Sequence, residues 1–410
     1  VLKKITLPSL FIMRILVQKF GGSSVADEGF LRMLSIIEQS PKPLVVVVSA
    51  EKGATNRLLQ EAQSQKLSSE ATDALVAQGE IATVQKLCQA LSERGCPCEG
   101  FWGSKIGITT DAFFGAANLR QIHPKKIFET LCAQKVAIVA GFQATTHEGQ
   151  ITTLGRGGSD LTALALASAL NAYGCKIFTD VKGVFTANPQ NVPRAQHLSA
   201  LSFRDLERMA YLGSQVMQMR SISFAQRARQ PFSIHSTWDP FGSCTQVLDS
   251  PLRRSTISAD AQAYWIEIPK QSWIKSMQRG EFFLWARLQV DFMVEGRHAI
   301  RATLPIASLE ALQKAIDFNP IGPVAKVSFV GPIEPEGMQR ISEIVQSYPV
   351  LEAHANSGRY SLLVPAEMGN WLSCLLHHSC IEQSLSVQGN QLNSSGAFSC
   401  DKASFQSATA

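Results

Sequence analysis

The stretch that decides the fold reads Thr153-Leu154-Gly155-Arg156-Gly157-Gly158-Ser159-Asp160. It packs three glycines, an arginine and a carboxylate between the strand-like, β-branched end Gln150 to Thr153 and a Leu/Ala-rich segment, Leu161 to Asn171, that reads as a helix. Ser159 or Asp160 stands where a helix cap is expected. A glycine-rich turn that opens a helix points unpaired backbone N–H groups and the positive end of the helix dipole at one spot, which suits a phosphate or a carboxylate. Arg156 adds a planar fork for the same kind of anion. Taken alone, the turn is read equally well as a left-handed glycine turn beside a solvated arginine. The rest of the chain has to decide between the two.

Upstream and downstream, short unbroken apolar runs alternate with helical segments. Ile15 to Phe20 runs into Gly21-Gly22-Ser23-Ser24 and then an amphipathic helix, Asp27 to Gln39. Leu44 to Val48 ends in Ser49-Ala50, with a helix opening near Thr55-Asn56. Val136 to Ala140 ends in Gly141-Phe142, Lys176 to Phe178 in Thr179-Asp180, and Phe232 to Ile234 in His235-Ser236. Such runs predict an α/β fold with a mostly parallel sheet covered on both faces. Ligands gather at the carboxyl ends of parallel strands. Here those ends carry Lys19, Phe20, Gly21, Gly22, Ser49, Phe142, Thr179 and Asp180. A long helix is expected from Ser69 to Arg94, and Glu80 falls on its apolar stripe of Val76, Val84, Leu87 and Leu91. A carboxylate on a buried face needs a partner, either a structural cation or the ammonium of a ligand.

After Ser236 the pattern changes. Residues 251–262 read as a linker, and short strands then alternate with short helices. Strands are expected at Ala263 to Ile268, Ala286 to Val294 and Ala299 to Leu304, with a helix at Ser308 to Ile316. A second group has strands at Ala325 to Val330, Leu351 to Ala355 and Tyr360 to Val364, and helices at Glu336 to Gln346 and Glu367 to His378. The repetition suggests two α+β modules of ferredoxin-like type over residues 263–387. Residues 388–410, rich in Ser, Gln, Asn and Gly, are expected to be disordered. Residues 1–13 read as an N-terminal extension, with Met13 a candidate start, and residues 14–250 as the catalytic domain.

A chain of 410 residues predicts two or three domains. The balance of 38 Lys+Arg against 33 Asp+Glu leaves +5, scattered too thinly to indicate nucleic acid and compatible with small anionic ligands. Nine cysteines lie apart from any histidine or second pair at metal spacing, which predicts reduced thiols in a cytoplasmic protein and no protein-held metal. No apolar run approaches the ~18 residues of a membrane span.

Five segments together resemble the aspartokinases: KFGGSSVAD (Lys19 to Asp27), VVSAEKGATN (Val47 to Asn56), Gly79-Glu80, TLGRGGSD (Thr153 to Asp160) and TDVKGVFTANP (Thr179 to Pro189). The resemblance runs from about Arg14 to Ser236, and the α+β repeat beyond it is similar to the family's tandem ACT modules. It implies an amino-acid-kinase fold and phosphoryl transfer from ATP, with Mg2+ as co-substrate, to the side-chain carboxylate of L-aspartate. The product would be 4-phospho-L-aspartate, at the head of lysine, diaminopimelate, threonine and methionine synthesis, with no tightly bound cofactor. In that reading Lys19 and Asp160 serve the transferring phosphate, and Arg156 grips a carboxylate of aspartate. Glu80 takes the ammonium, while Ser49, Thr55, Phe142, Gly157, Gly158 and Ser159 complete the substrate pocket. Lys19, Phe20, Gly21, Gly22, Thr179, Asp180, Phe185, Gln190 and Gln215 face the nucleotide. A carboxylate nucleophile is already ionised at neutral pH, so no general base is needed.

The nucleotide side departs from the family pattern. Phe185, Asn188 and Gln190 stand where the family has tyrosine, aspartate and arginine, and Gln215 replaces a lysine. Each lost charge-assisted hydrogen bond costs about 1.5 to 3 kcal/mol, and Arg194 and Arg220 are candidates to substitute. Two other readings compete: another amino-acid kinase, and an amino-acid-sensing member weakened in catalysis. An amino-acid effector at the C-terminal modules and a homodimer or higher homo-oligomer are expected. The cluster Trp285, Arg287, Arg297, His298 and Arg301 suggests an anionic effector and weak lysine inhibition.

Overall fold

The computed structural model describes residues 13–382, except 215, 250–254, 281–284, 286–287, 289, 314, 332, 334 and 357–358. The expected tail and nearly all of the N-terminal extension lie outside the described residues. The first half is an α/β layer structure. Its strands are β1 (Leu16–Phe20), β2 (Leu44–Val48), β3 (Cys98–Phe101), β4 (Ile108–Thr110), β5 (Leu119–Ile122), β6 (Val136–Ala140), β7 (Gln143–Thr145), β8 (Ile151–Thr153) and β9 (Gly174–Thr179). The short β10 (Val184–Phe185), β11 (His197–Leu198) and β12 (Ala200–Ser202) follow, then β13 (Phe232–Ser236) and β14 (Thr245–Leu248). Eight of them form one sheet in the order β12-β14-β13-β9-β1-β2-β6-β3. All its pairings are parallel except β13 with β14.

Every residue of β1, β2 and β6 is buried, because helices cover both faces of the sheet. One face packs against α1 (Asp27–Gln39) and the helix Gln78–Glu93, through Met33, Ile37, Val84 and Leu87. The other packs against the helix Gly158–Ala169, whose Leu161, Leu164 and Leu166 are wholly or nearly wholly buried. That helix begins earlier than the sequence suggests. Its cap is Gly157 in the left-handed region (φ +74°), so Ser159 and Asp160 lie inside the first turn and cap nothing. A second small sheet, β5-β4-β7-β8, carries the turn from Thr153 onward.

The helix expected from Ser69 to Arg94 is two, Ser69–Val76 and Gln78–Glu93, meeting at Ala77. Gln143 explains the break: its Nε2 donates to the Ala77 carbonyl at 3.0 Å, and the helical Ile81 N–H to the same carbonyl stretches to 3.3 Å. A side chain inserted into the ladder bends a helix.

The second half carries the order strand, helix, strand, strand, helix twice, and the two repeats are hydrogen-bonded into one antiparallel sheet. Its strands are β15 (Thr256–Pro269), β16 (Asp291–Glu295), β17 (Ala299–Pro305), β18 (Asn319–Val330), β19 (Glu352–Asn356) and β20 (Arg359–Pro365), in the order β16-β17-β15-β18-β20-β19. β15 and β18 are long enough to run through both halves of the repeat and pair with each other along most of their length. Thr256 to Gln262, expected as linker, is therefore the first part of β15. The start of the strand expected at Ala286 to Val294 falls partly outside the described residues, and the described strand begins at Asp291. The helix Lys270–Gln278 went unread in the sequence, although Pro269 marks its start and Trp273 and Met277 pack beneath it at helical spacing.

Candidate active site

The sheet order brings four strand ends into a row. The Gly21 N–H donates to the Phe178 carbonyl, the Ser49 N–H to Phe20 and the Gly141 N–H to Val48, so the residues after β9, β1, β2 and β6 stand side by side. At the centre of this row Lys19 Nζ lies 2.7 Å from Asp160 Oδ1, both side chains about nine-tenths buried. The helix that starts at Gly158 thus delivers its first-turn carboxylate to the end of the first strand. Low dielectric strengthens such a pair and keeps the ammonium in a fixed direction. A side chain on Gly21 would stand 3.5 Å from Lys19 Nζ, and one on Gly22 would meet the Ala50 carbonyl at 3.0 Å. Gly22 therefore lets the chain pack directly against the turn at Ala50 and Lys52, and Gly21 leaves room for the Lys19 ammonium beside it.

Glu80 sits in the first turn of Gln78–Glu93, 2% exposed. Its Oε1 accepts from the Ala50 N–H at 3.1 Å, and its Oε2 has no partner among the described residues. Burial pushes its carboxyl up to about 8, although the hydrogen bond from Ala50 pulls the other way. A buried carboxylate oxygen without a partner is costly when ionised, so the proton is retained unless a cation comes to it.

The glycine turn is held from three sides. Asp73, 2% exposed, accepts from the Thr153 N–H at 2.7 Å, the Thr153 hydroxyl at 2.9 Å and the Gly115 N–H. Arg220 donates to the carbonyls of Leu154, Ala116 and Ala117 and to the Asn118 side chain. Ser221 donates to the Gly157 carbonyl. A Cβ on Gly157 would fall 2.6 Å from Gln218, and one on Gly158 would fall 2.9 Å from the Phe142 ring. Phe142 itself adopts φ +67°, a conformation rare for an aromatic residue and typical of sites where the surroundings fix the backbone. Its N–H donates to Thr162 Oγ1. Ser159 packs against Gly141, where no side chain would fit. Arg156 is exposed at the rim and makes no hydrogen bond or ion pair among the described residues.

The predicted residues Lys19, Gly21, Gly22, Ser49, Glu80, Phe142, Gly157, Gly158, Ser159 and Asp160 are thus joined by direct contacts or neighbouring strand ends. Thr55 lies half-buried in the first turn of the helix Ala54–Ser64. Phe20, expected at the nucleotide, has a wholly buried ring stacked on Phe178 at 4.7 Å, and its carbonyl accepts from the Ser49 N–H, so its part is in the core behind the site. Thr179, Asp180, Phe185 and Gln190 line a separate cavity of about 750 Å³ beside β9. The size suits a nucleotide. Gln215 lies outside the described residues. Of the two arginines suggested as substitute cations, Arg220 is spent on the carbonyls above, and Arg194 pairs with Glu382 at 3.2 Å. In the C-terminal half, Trp285 is core, packed on Trp273 and donating to Ser276, rather than part of a cationic effector pocket. Arg301 pairs with Glu267 at the surface, and Arg287 lies outside the described residues.

Asp73 was not picked out in the sequence, and Arg220 was picked out as a substitute cation rather than as the clamp of the glycine turn. Asp73 stands on the same apolar stripe as Glu80, three residues before Val76, and that stripe was the available signal. Nothing local to Arg220 announces its role.

A sheet with glycine-lined strand ends, a buried Lys–Asp pair and a helix-opening glycine turn defines a phosphoryl-transfer class of site. The model of the amino acid kinase family matches residues 14–236, and the chain belongs to that family. Within it, the chain is 42% identical over 231 residues to the aspartate kinase of Pseudomonas fluorescens, a match covering 54% of this chain and 56% of that one. The chain thus spans little more than half the length of that relative. It is 32% identical over 396 residues to the aspartokinase of Thermus thermophilus, covering 87% of this chain and 96% of the relative. Among solved structures, E. coli aspartokinase III in complex with aspartate and ADP superposes with a TM-score of 0.72 at 23% identity, over 89% of this chain and 99% of that one. No described helix is long and apolar enough to cross a membrane.

Proposed function

We propose that the protein is an aspartate kinase. The side-chain carboxylate oxygen of L-aspartate attacks the γ-phosphorus of ATP; the new O–P bond forms as the bond to the ADP oxygen breaks, giving 4-phospho-L-aspartate and ADP. Lys19 stabilises charge on the moving phosphoryl group, and Asp160 fixes the direction of its ammonium. Gly21 and Gly22 let the backbone approach the phosphates, and Arg156 takes a carboxylate of aspartate. Glu80 takes the ammonium. This last role carries the proposal, because a buried carboxylate with an unpartnered oxygen beside the Lys19 strand end fits an amino-acid substrate better than a nucleoside monophosphate or a simple acid. Aspartokinases in two genera support the same reading.

The cavity beside β9 receives the nucleotide, with Mg2+ carried on its phosphates. Among the described residues no cluster of three metal-ligating side chains offers a site of its own for the ion. The protein acts in the cytoplasm, ahead of lysine, threonine and methionine synthesis. Residues 14–250 form the catalytic domain, and the C-terminal sheet is a pair of ACT modules that binds an amino-acid effector and joins two copies. One solved structure of E. coli aspartokinase III holds lysine and aspartate together.

The test is an assay with aspartate, ATP and Mg2+ in which hydroxylamine traps the acyl phosphate. Hydroxamate that depends on all three components is the expected result. Aspartate binding without hydroxamate at millimolar ATP would favour the sensing reading, for which Gln190 at the cavity wall is the supporting observation.

A further inference from the structure

We propose that Lys182 is the cation that receives the phosphates of the nucleotide in this chain. The inference rests on the kinase reading. A nucleoside triphosphate is a polyanion, and the charge count of the cavity that would take it is unfavourable. Its described lining contains Asp180 and Asp260 but one basic side chain, Lys182. Arg220 and Arg194 are held elsewhere, as shown above, and Lys19 lies at the neighbouring strand end bound to Asp160.

Position and freedom both suit the role. Lys182 follows Thr179 by three residues in the loop that leaves β9, the strand hydrogen-bonded to the Lys19 strand. Gly183 next to it has φ +106°, and a Cβ there would collide with Thr245 and His197, so the loop is pinned at the glycine while the lysine stays outside. Its side chain is 64% exposed, and its partner Asp239 Oδ2 stands 3.6 Å away, beyond normal hydrogen-bond length. An exposed pair of that kind is easily exchanged for a phosphate. Asp239 then acts as a resting place that the ligand competes with.

Calorimetric titration of ATP·Mg2+ in the absence of aspartate tests this. Lys182→Ala should weaken ATP about tenfold, the loss of one charge-assisted contact, and should leave adenosine, which has no phosphate, bound as in the wild type. Lys182→Arg should recover most of the affinity, and Asp239→Asn should tighten ATP by removing the competitor. ATP affinity unchanged in Lys182→Ala would overturn the proposal, as would an equal loss for adenosine and ATP, which marks a structural role. A wild-type protein that binds neither ATP nor ADP would instead bring down the kinase reading itself.

Discussion

Glu80 is the residue whose behaviour with pH is most exposed to test. With its carboxyl pushed up to about 8 by burial, the free protein carries it largely protonated at neutral pH. A folded-state value above the unfolded one means that its contribution to stability is fully present below the ordinary carboxylate range and is lost as pH rises through about 8. Binding reverses the preference. An ammonium delivered to the unpartnered Oε2 favours the ionised form, so aspartate binding should release a proton near pH 7 and weaken by up to about tenfold per pH unit below 8. Calorimetry in buffers of different ionisation enthalpy measures that proton directly. In Glu80→Gln the release should vanish and the affinity should be lower and flat with pH; a wild-type titration without proton release would remove Glu80 from the ammonium site. The residue was legible because a carboxylate on an apolar stripe is conspicuous. Lys182 was not, since a lysine in a loop looks like any solvated surface charge until the cavity around it is closed by segments distant in sequence.

At the scale of elements, the glycine turn owes its shape to a neighbour. Asp73 ends three donors of two other segments, and in Asp73→Ala the Thr153 and Gly115 N–H groups would lose their acceptor inside the protein. Gly115 is exposed and its N–H can turn to water, but the N–H and hydroxyl of Thr153 are buried; at about 1–3 kcal/mol for each of these two, the variant should lose about 2–5 kcal/mol of stability. Denaturant unfolding measures it, and a midpoint within error of the wild type would show that the turn holds itself. The strands of the parallel sheet could be read from sequence because they are buried on both faces and hence continuously apolar. The break at Ala77 and the true start of the Gly158 helix could not. The first depends on Gln143, sixty-six residues away, and the second on a backbone angle at Gly157 that composition does not reveal. The C-terminal repeat was recognised, but its fusion into one sheet was not, because strand length there is set by pairing rather than by pattern.

Across the whole molecule, one buried charge cluster joins the two halves. Asp291 Oδ2 accepts from Lys326 at 3.0 Å and Arg359 at 2.8 Å, and its Oδ1 accepts from the Tyr211 hydroxyl at 2.8 Å. Tyr211 closes the helix Phe203–Tyr211 of the catalytic half, whereas the three charges lie on β16, β18 and β20. Burial would raise the Asp291 carboxyl, but the two cations outweigh it and hold the group well below the usual carboxylate range. A depressed value means stability that is present above the ordinary carboxylate range and lost as pH falls below it. Asp291→Ala should cost about 3–5 kcal/mol by stranding two cations, and Tyr211→Phe about 1 kcal/mol. Scanning calorimetry should show the C-terminal sheet melting ahead of the catalytic half in Asp291→Ala; a single unshifted transition would deny the cluster any coupling role.

The sheet order has a further consequence for how the chain emerges from the ribosome. β1, made first among the described strands, lies between β2 and β9, with Leu16 paired to Leu44 on one side and to Gly174 on the other. At about 5–20 residues per second, β9 appears roughly 10 to 30 s after β1 has left the exit tunnel. Through that interval a strand of five core residues keeps one unpaired edge in the company of other nascent chains. The first half of this protein is therefore the part that a holdase chaperone should meet, and the free edge of β1 is closed only when β9 has been translated.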